Sequence, residues 1–148
     1  MNKRTKNLLI IAGIGVALYY IAQRTAAKIS IGNAGVRIQK FSLSEIELRI
    51  LLPVINESQI PATVTGFLGQ IFYGLNSIGV VQLLQPADIP GFGQAIVQFS
   101  AKISVLSAAQ QVYDIITHPP VDWSKFNIKG TLLVQGLPIS IDQKLLAA

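Results

Sequence analysis

Cysteine is absent from the 148 residues, and histidine, methionine and tryptophan occur once each. No disulfide framework or thiolate metal site is available, and the redox state of a compartment leaves no trace. The single histidine, His118, limits conventional catalytic and metal constellations: neither an H-x-x-x-H spacing nor a carboxylate cluster accompanies it. A Ser-His-Asp arrangement would need His118 with Asp114 or Asp122 and a serine, yet no nucleophile-elbow sequence is present. His118 instead stands before Pro119-Pro120, where stabilising a helix C-terminus is the plainer role. No catalytic residue, cofactor or small-molecule substrate is therefore expected, and the chain reads as a non-enzyme. Charge is scarce too, at 13% against 51% hydrophobic residues, which implies surface covered by lipid, by copies of the chain or by another subunit.

The net charge of +5 is confined to one end of the chain. Lys3, Arg4, Lys6, Arg24 and Lys28 supply it. In 29–148 the bases Arg37, Lys40, Arg49, Lys102, Lys125, Lys129 and Lys144 balance Glu45, Glu47, Glu57, Asp88, Asp114, Asp122 and Asp142. Their scatter argues against a nucleic-acid surface. The basic residues of 1–28 flank the apolar run 8–22, whose Leu8, Leu9, Ile10, Ile11, Ile14, Val16, Leu18, Tyr19, Tyr20 and Ile21 read as a membrane anchor. As a helix the run covers about 22 Å, and snorkelling Lys6 and Arg24 extend it towards the roughly 30 Å hydrocarbon core. A cleaved signal peptide shares the basic start, but Gln23 and Arg24 follow the run and Thr25-Ala26-Ala27 is a poor small-residue exit. Flanking charge nearly balances. The expectation is a single-pass protein with a short N-terminal tail and the 29–148 domain across the membrane.

Period-two alternation dominates that domain. In 45–56, Ile46, Leu48, Ile50, Leu52 and Val54 share one face, and Leu51, Pro53 and Ile55 make the other apolar too. Ala95, Val97, Phe99, Ala101, Ile103 and Val105 line one face of 95–106. Leu137, Ile139, Ile141 and Leu145 do the same near the C-terminus. Shorter candidates are 35–43, 61–73, 78–84 and 127–134. Gly74-Leu75-Asn76-Ser77 reads as a hairpin turn, 85–93 as a Pro/Gly loop, and Gly136-Leu137-Pro138 as a break. Ser107 with Gln110 resembles a capping box, followed at helical spacing by Ala109, Val112, Tyr113 and Ile116. The fold expected is all-β, an antiparallel two-sheet sandwich with one short inserted helix, preceded by a single N-terminal transmembrane helix.

Three residues stand apart from this pattern. Asn56 continues the inward parity of its strand, so its amide is expected to satisfy backbone groups at a turn. Trp123, in Pro120-Val121-Asp122-Trp123-Ser124, either caps an end of the sandwich or presents an aromatic contact to a partner. Phe92, at the tip of a Pro/Gly loop, leaves the same alternatives open. Gly91-Phe92-Gly93 lacks the strand-loop-helix context and lysine of a phosphate loop.

Several segments together resemble the late embryogenesis abundant type 2 (water-stress and hypersensitive-response) domain over 35–145. They are Pro53-Val54-Ile55-Asn56, Ile60-Pro61-Ala62, Ile71-Phe72-Tyr73-Gly74 with Ile78-Gly79, Ile89-Pro90-Gly91-Phe92-Gly93, Asn127-Ile128-Lys129-Gly130 and Leu137-Pro138-Ile139. Glu57-Ser58 departs from the family, which follows the asparagine with proline. The resemblance implies a small fibronectin III/immunoglobulin-like sandwich, often carried behind one membrane helix, with no catalytic residues to transfer. The resulting expectation is a structural or scaffolding subunit of a membrane-associated assembly, such as an envelope complex or a membrane-containing virion. Its partners would be membrane lipid and other protein subunits or copies of itself. The alternative is a lipid-binding or stress-protective domain at the membrane surface.

Overall fold

A computed structural model describes residues 28–42, 44–104 and 110–148. The apolar run 8–22, with every anchor residue named above, lies outside the described residues, as do Ser107, Ala109 and the end of the strand read over 95–106. The chain order is β1 (Ile29–Ile31), β2 (Ala34–Phe41), β3 (Glu45–Asn56), β4 (Ala62–Tyr73), β5 (Asn76–Leu83), β6 (Ala87–Ile89) and β7 (Gln94–Ser104). Helix α1 (Gln110–Thr117), a 3-10 turn (Trp123–Lys125), β8 (Phe126–Val134) and β9 (Leu137–Ala147) follow.

Alternation sets which side chains go inward. Along β3, Ile46, Leu48, Ile50, Leu52 and Val54 are all buried, while the residues between them are half-exposed. On β7 Val97, Phe99, Ala101 and Ile103 are buried, and Phe99 meets Phe67 of β4 edge-on with ring centroids 4.9 Å apart. Two hairpin turns use left-handed backbone. Gly74 (φ 60) joins β4 to β5, and Gln135 and Gly136 (φ 53 and 79) join β8 to β9.

The sandwich is corrected to a closed barrel. Among the described residues nine strands belong to one sheet, and those other than β1 and β6 run in the ring β3-β2-β9-β8-β4-β5-β7, which β7 closes by pairing back onto β3. The result is a seven-strand barrel. Every pairing is antiparallel except β2 with β9, which is parallel and confined to Ala34–Leu145, Gly35–Leu146 and Val36–Ala147. Register shifts at Ile38/Lys40, Val64/Gly66 and Ile71/Phe72 bend the strands round the ring. Alternation could not separate the two architectures, because a barrel and a sandwich both bury one face of each strand. The segment 85–93 is corrected in part as well, since Ala87–Ile89 within it pairs with β4.

Helix α1 turns Val112 and Ile116 into the core, and Tyr113 lies against Phe41 with centroids 5.9 Å apart. At eight residues it measures about 12 Å, and among the described residues no helix is long and apolar enough to cross a membrane. This corrects the single-pass reading: nothing in the described fold supports the membrane placement built on 8–22.

Two glycines let the barrel wall close over Phe67. Gly69 and Gly130 pair directly across β4 and β8, and the Phe67 ring lies over both. A Cβ on Gly130 would stand 2.6 Å from Gly69 Cα and 2.9 Å from Phe67 Cζ, and would also strike the Leu68 carbonyl oxygen. Gly130→Ala should therefore lower folding stability by about 2 kcal/mol or more, through overpacking. Urea denaturation checks this as a lowered midpoint at an unchanged slope.

Candidate functional site

The polar chemistry at the α1 end is local. A carbonyl oxygen can only accept, so the contact of His118 Nδ1 with the Asp114 carbonyl at 2.7 Å makes that nitrogen the proton carrier. The Thr117 hydroxyl is 3.1 Å from the same nitrogen and donates to the Asp114 carbonyl at 3.3 Å. His118 thus secures the last turn of its own helix, in an exposed position. Asp122 caps the 3-10 turn: its Oδ1 accepts from the Ser124 hydroxyl at 2.5 Å and from the Ser124 N–H at 3.2 Å. Those two bonds hold the Asp122 carboxyl below the usual carboxylate range, the hydroxyl contributing most. Trp123, next in sequence, is 8% exposed and tilts against Phe126 at 5.3 Å, with Tyr73 on Phe126 at 5.0 Å. The structure therefore places Trp123 in the aromatic cluster that closes this end. Among the described residues no group of three His, Asp or Glu side chains could hold a metal ion.

The opposite end carries the other residue singled out by sequence. Asn56, 1% exposed, ends β3 and organises the turn after it. Its Nδ2 donates to the Ile60 carbonyl at 2.8 Å, and its Oδ1 accepts from the Ser58 N–H at 2.9 Å. That turn in turn holds the loop before β7. Phe92 N–H donates to the Ser58 carbonyl at 2.7 Å, Gly93 N–H to the Pro90 carbonyl at 3.0 Å, and Asn56 N–H to the Gly93 carbonyl at 2.8 Å. Gly91 lies so close to Gln59 that a Cβ would collide with its backbone. The outcome is a fixed tip on which Phe92 adopts φ 53 and is 75% exposed. Left-handed backbone costs a non-glycine residue roughly 1 kcal/mol, so the tip holds a large apolar ring in water in a disfavoured conformation. Asn56 and Phe92 were legible in sequence; the bonds that couple them were not, since they join turns more than thirty residues apart.

A third feature escaped sequence reading. On the outer wall, Leu68, Gln70, Phe72, Val80, Gln82 and Lys129 line a shallow cleft of about 610 Å³. Leu68 and Val80 are 73% and 53% exposed, and Lys129 Nζ sits 5.4 Å from the Phe72 ring centre. Among the described residues, no hydroxyl or carboxylate side chain lines it. The outward parity of these residues is visible in the sequence, but their assembly needs the pairings of β4 with β5 and β8.

No family model matches the sequence, and no curated protein matches it. Similar solved structures do exist. A protein from Archaeoglobus fulgidus is 17% identical with a TM-score of 0.50, over 79% of this chain and 100% of that one. The apo PCuAC domain from PmoF1 is 13% identical with a TM-score of 0.48, over 82% and 95% of the two chains. The copper-bound PCuAC domain from PmoF2 is 14% identical with a TM-score of 0.44, over 82% and 94%. The likeness to the Archaeoglobus protein is one of fold alone. The resemblance to the late embryogenesis abundant type 2 domain is corrected: no family model supports it, and the solved structure whose fold the chain shares is the Archaeoglobus protein. Its motifs coincide with local turn requirements, such as left-handed Gly74 and the loop Pro90-Gly91, which unrelated sheets also meet. The membrane-assembly subunit and its lipid-binding alternative rested on that resemblance and on the anchor, and both are set aside with them.

Two tests follow from the polar ends. Asn56→Ala leaves the buried Ser58 N–H without its acceptor and should cost about 1–3 kcal/mol, read by chemical denaturation. Ser124→Ala removes the hydroxyl donor, so the Asp122 pKa should rise towards that of an ordinary aspartate in an NMR titration. Because the folded-state pKa is depressed, the stabilisation by Asp122 is present above the unfolded-state pKa and is lost as pH falls through the folded one. The variant should weaken that acid dependence.

Proposed function

We propose that this barrel is a non-catalytic recognition domain that binds a partner protein through the Phe92 tip. One observation carries the reading: a phenylalanine, 75% exposed at φ 53, is held on a loop fixed by backbone hydrogen bonds to Ser58 and Asn56. Burying such a ring in a partner's pocket is worth about 1.5–3 kcal/mol. Holding it in place beforehand spares about 0.5–1.5 kcal/mol of side-chain and loop ordering. Aromatic anchors of this kind dominate binding energy at protein interfaces. Non-catalysis is supported by the chemistry near the tip, which consists of amides, a serine hydroxyl engaged with Ile60, and apolar side chains. Copper belongs to the PmoF2 domain, and with one histidine, one methionine and no cysteine this chain has few donors for such a site.

Phe92→Gly separates the role of the ring from that of the fold. Glycine accepts left-handed backbone freely, so the variant should be as stable as the parent or more stable by up to about 1 kcal/mol in thermal denaturation. A benzophenone amino acid at position 92 should cross-link a discrete partner in the native host. The same group at Leu75, 91% exposed on another turn, should not. Equal labelling at both positions, or none at position 92, would remove the tip as the contact.

A further inference from the structure

We infer that the Phe92 tip of one copy of this chain seats in the outer-wall cleft of a second copy. The inference rests on the recognition reading above and names its partner. The cleft follows β4, where Leu68 and Phe72 stand four residues apart on the outer face, about 13 Å at strand rise, with Gln70 between them. Val80 of β5 and Lys129 of β8 pair with Gln70 from either side. Leu68 and Val80 are the exposed apolar walls. A site for a free small molecule encloses roughly 70–90% of its ligand, and a shallow cleft does not. This one suits a side chain presented from another protein surface.

Charge selects which surface. Lys129 borders the cleft on one side, and Lys102 of β7, exposed and directly opposite Val80, borders it on the other. The carboxylates one strand further out are engaged by neutral partners. Asp142, opposite Lys129, accepts from the Asn127 amide at 3.0 Å, and Glu47, opposite Lys102, accepts from the Ser100 hydroxyl at 3.1 Å. The tip carries the other sign. Glu57 and Asp88 are exposed beside it: Glu57 precedes Ser58, whose carbonyl holds the Phe92 N–H, and Asp88 precedes Ile89-Pro90. Against them stands Lys28, whose carbonyl accepts from the Glu57 N–H at 2.9 Å. An apolar ring bordered by carboxylates thus matches an apolar cleft bordered by lysines. The ring cannot fill the cleft of its own copy. Ala62 pairs with Ile89, three residues before Phe92, and β4 runs eight residues, about 26 Å, from there to Gln70. Three residues reach about 11 Å at most. The contact therefore joins unlike surfaces of two copies, and each addition leaves one tip and one cleft free, so the assembly is a ring or a filament.

The test uses the purified full chain with the benzophenone amino acid at position 92. In a mixture of isotope-labelled and unlabelled copies, the joined peptides should pair position 92 of one copy with 68–72 or 80–82 of another. Leu68→Glu, at a position 73% exposed, puts a carboxylate in the cleft and should lower the yield about tenfold or more. Val80→Glu, made separately, should do the same. Mixing decides the geometry. The benzophenone chain carrying Leu68→Glu keeps its tip, and Phe92→Gly keeps its cleft, so the two together should regain the yield and stop at a dimer. Cross-links that map elsewhere, a yield unchanged by both cleft variants, or no recovery on mixing would each overturn the second copy as the partner. Where such a failure accompanies capture of a different protein by position 92 in the host, the recognition reading stands without it. No capture at position 92 in either setting removes both.

Discussion

The ladder between β3 and β7 is the contact on which the rest of the molecule depends. It runs unbroken from Glu45–Ser104 to Ile55–Gln94, and its two strands are otherwise committed to opposite walls: β3 to β2, β7 to β5. Without it the ring opens into a single curled sheet with two long exposed edges. With it, the inward rows of both strands meet one core, in which Phe99 packs against Phe67 and the Gly69–Gly130 pair makes room for the ring. Backbone bonding and close packing therefore reinforce the same closure.

The ladder also sets the geometry of the tip proposed for recognition. At one end it passes into the Asn56–Gly93 bond, so the tip bearing Phe92 is an extension of the sheet. The strain at Phe92 is sustained because the surrounding turns leave that residue little alternative. Towards the other end the same strand sets Arg49 opposite Arg37 of β2. A rigid scaffold thus holds the apolar ring at the tip.

Much of this was legible in the chain itself. The inward row of β3 follows from alternation alone, because Ile46 to Val54 admit one parity that buries a face. Asn56 extends that parity and is polar, which already marked it as a buried amide with backbone to satisfy. Barrel closure was not legible. It depends on which strands pair across long stretches of sequence, and alternation carries no such information. The three residues of β1 are too few to show a period, and β6 sits in a segment whose prolines and glycines read as loop. Trp123 was ambiguous because the cluster it joins through Phe126 is completed by Tyr73, which the β4–β8 pairing sets beside Phe126. The Arg37–Arg49 pair was hidden for a related reason: the two look scattered until register puts them opposite each other.

Native-state hydrogen exchange, read at the amides of Asn56, Phe92 and Gly93 against those of Leu48, Ile50 and Leu52, tests the account most directly. If the tip is an extension of the β3–β7 ladder, the Phe92 amide opens with a free energy close to that of the ladder itself. Exchange of Phe92 at the rate of a frayed loop, with the ladder still protected, would contradict the rigid presentation on which the recognition role rests.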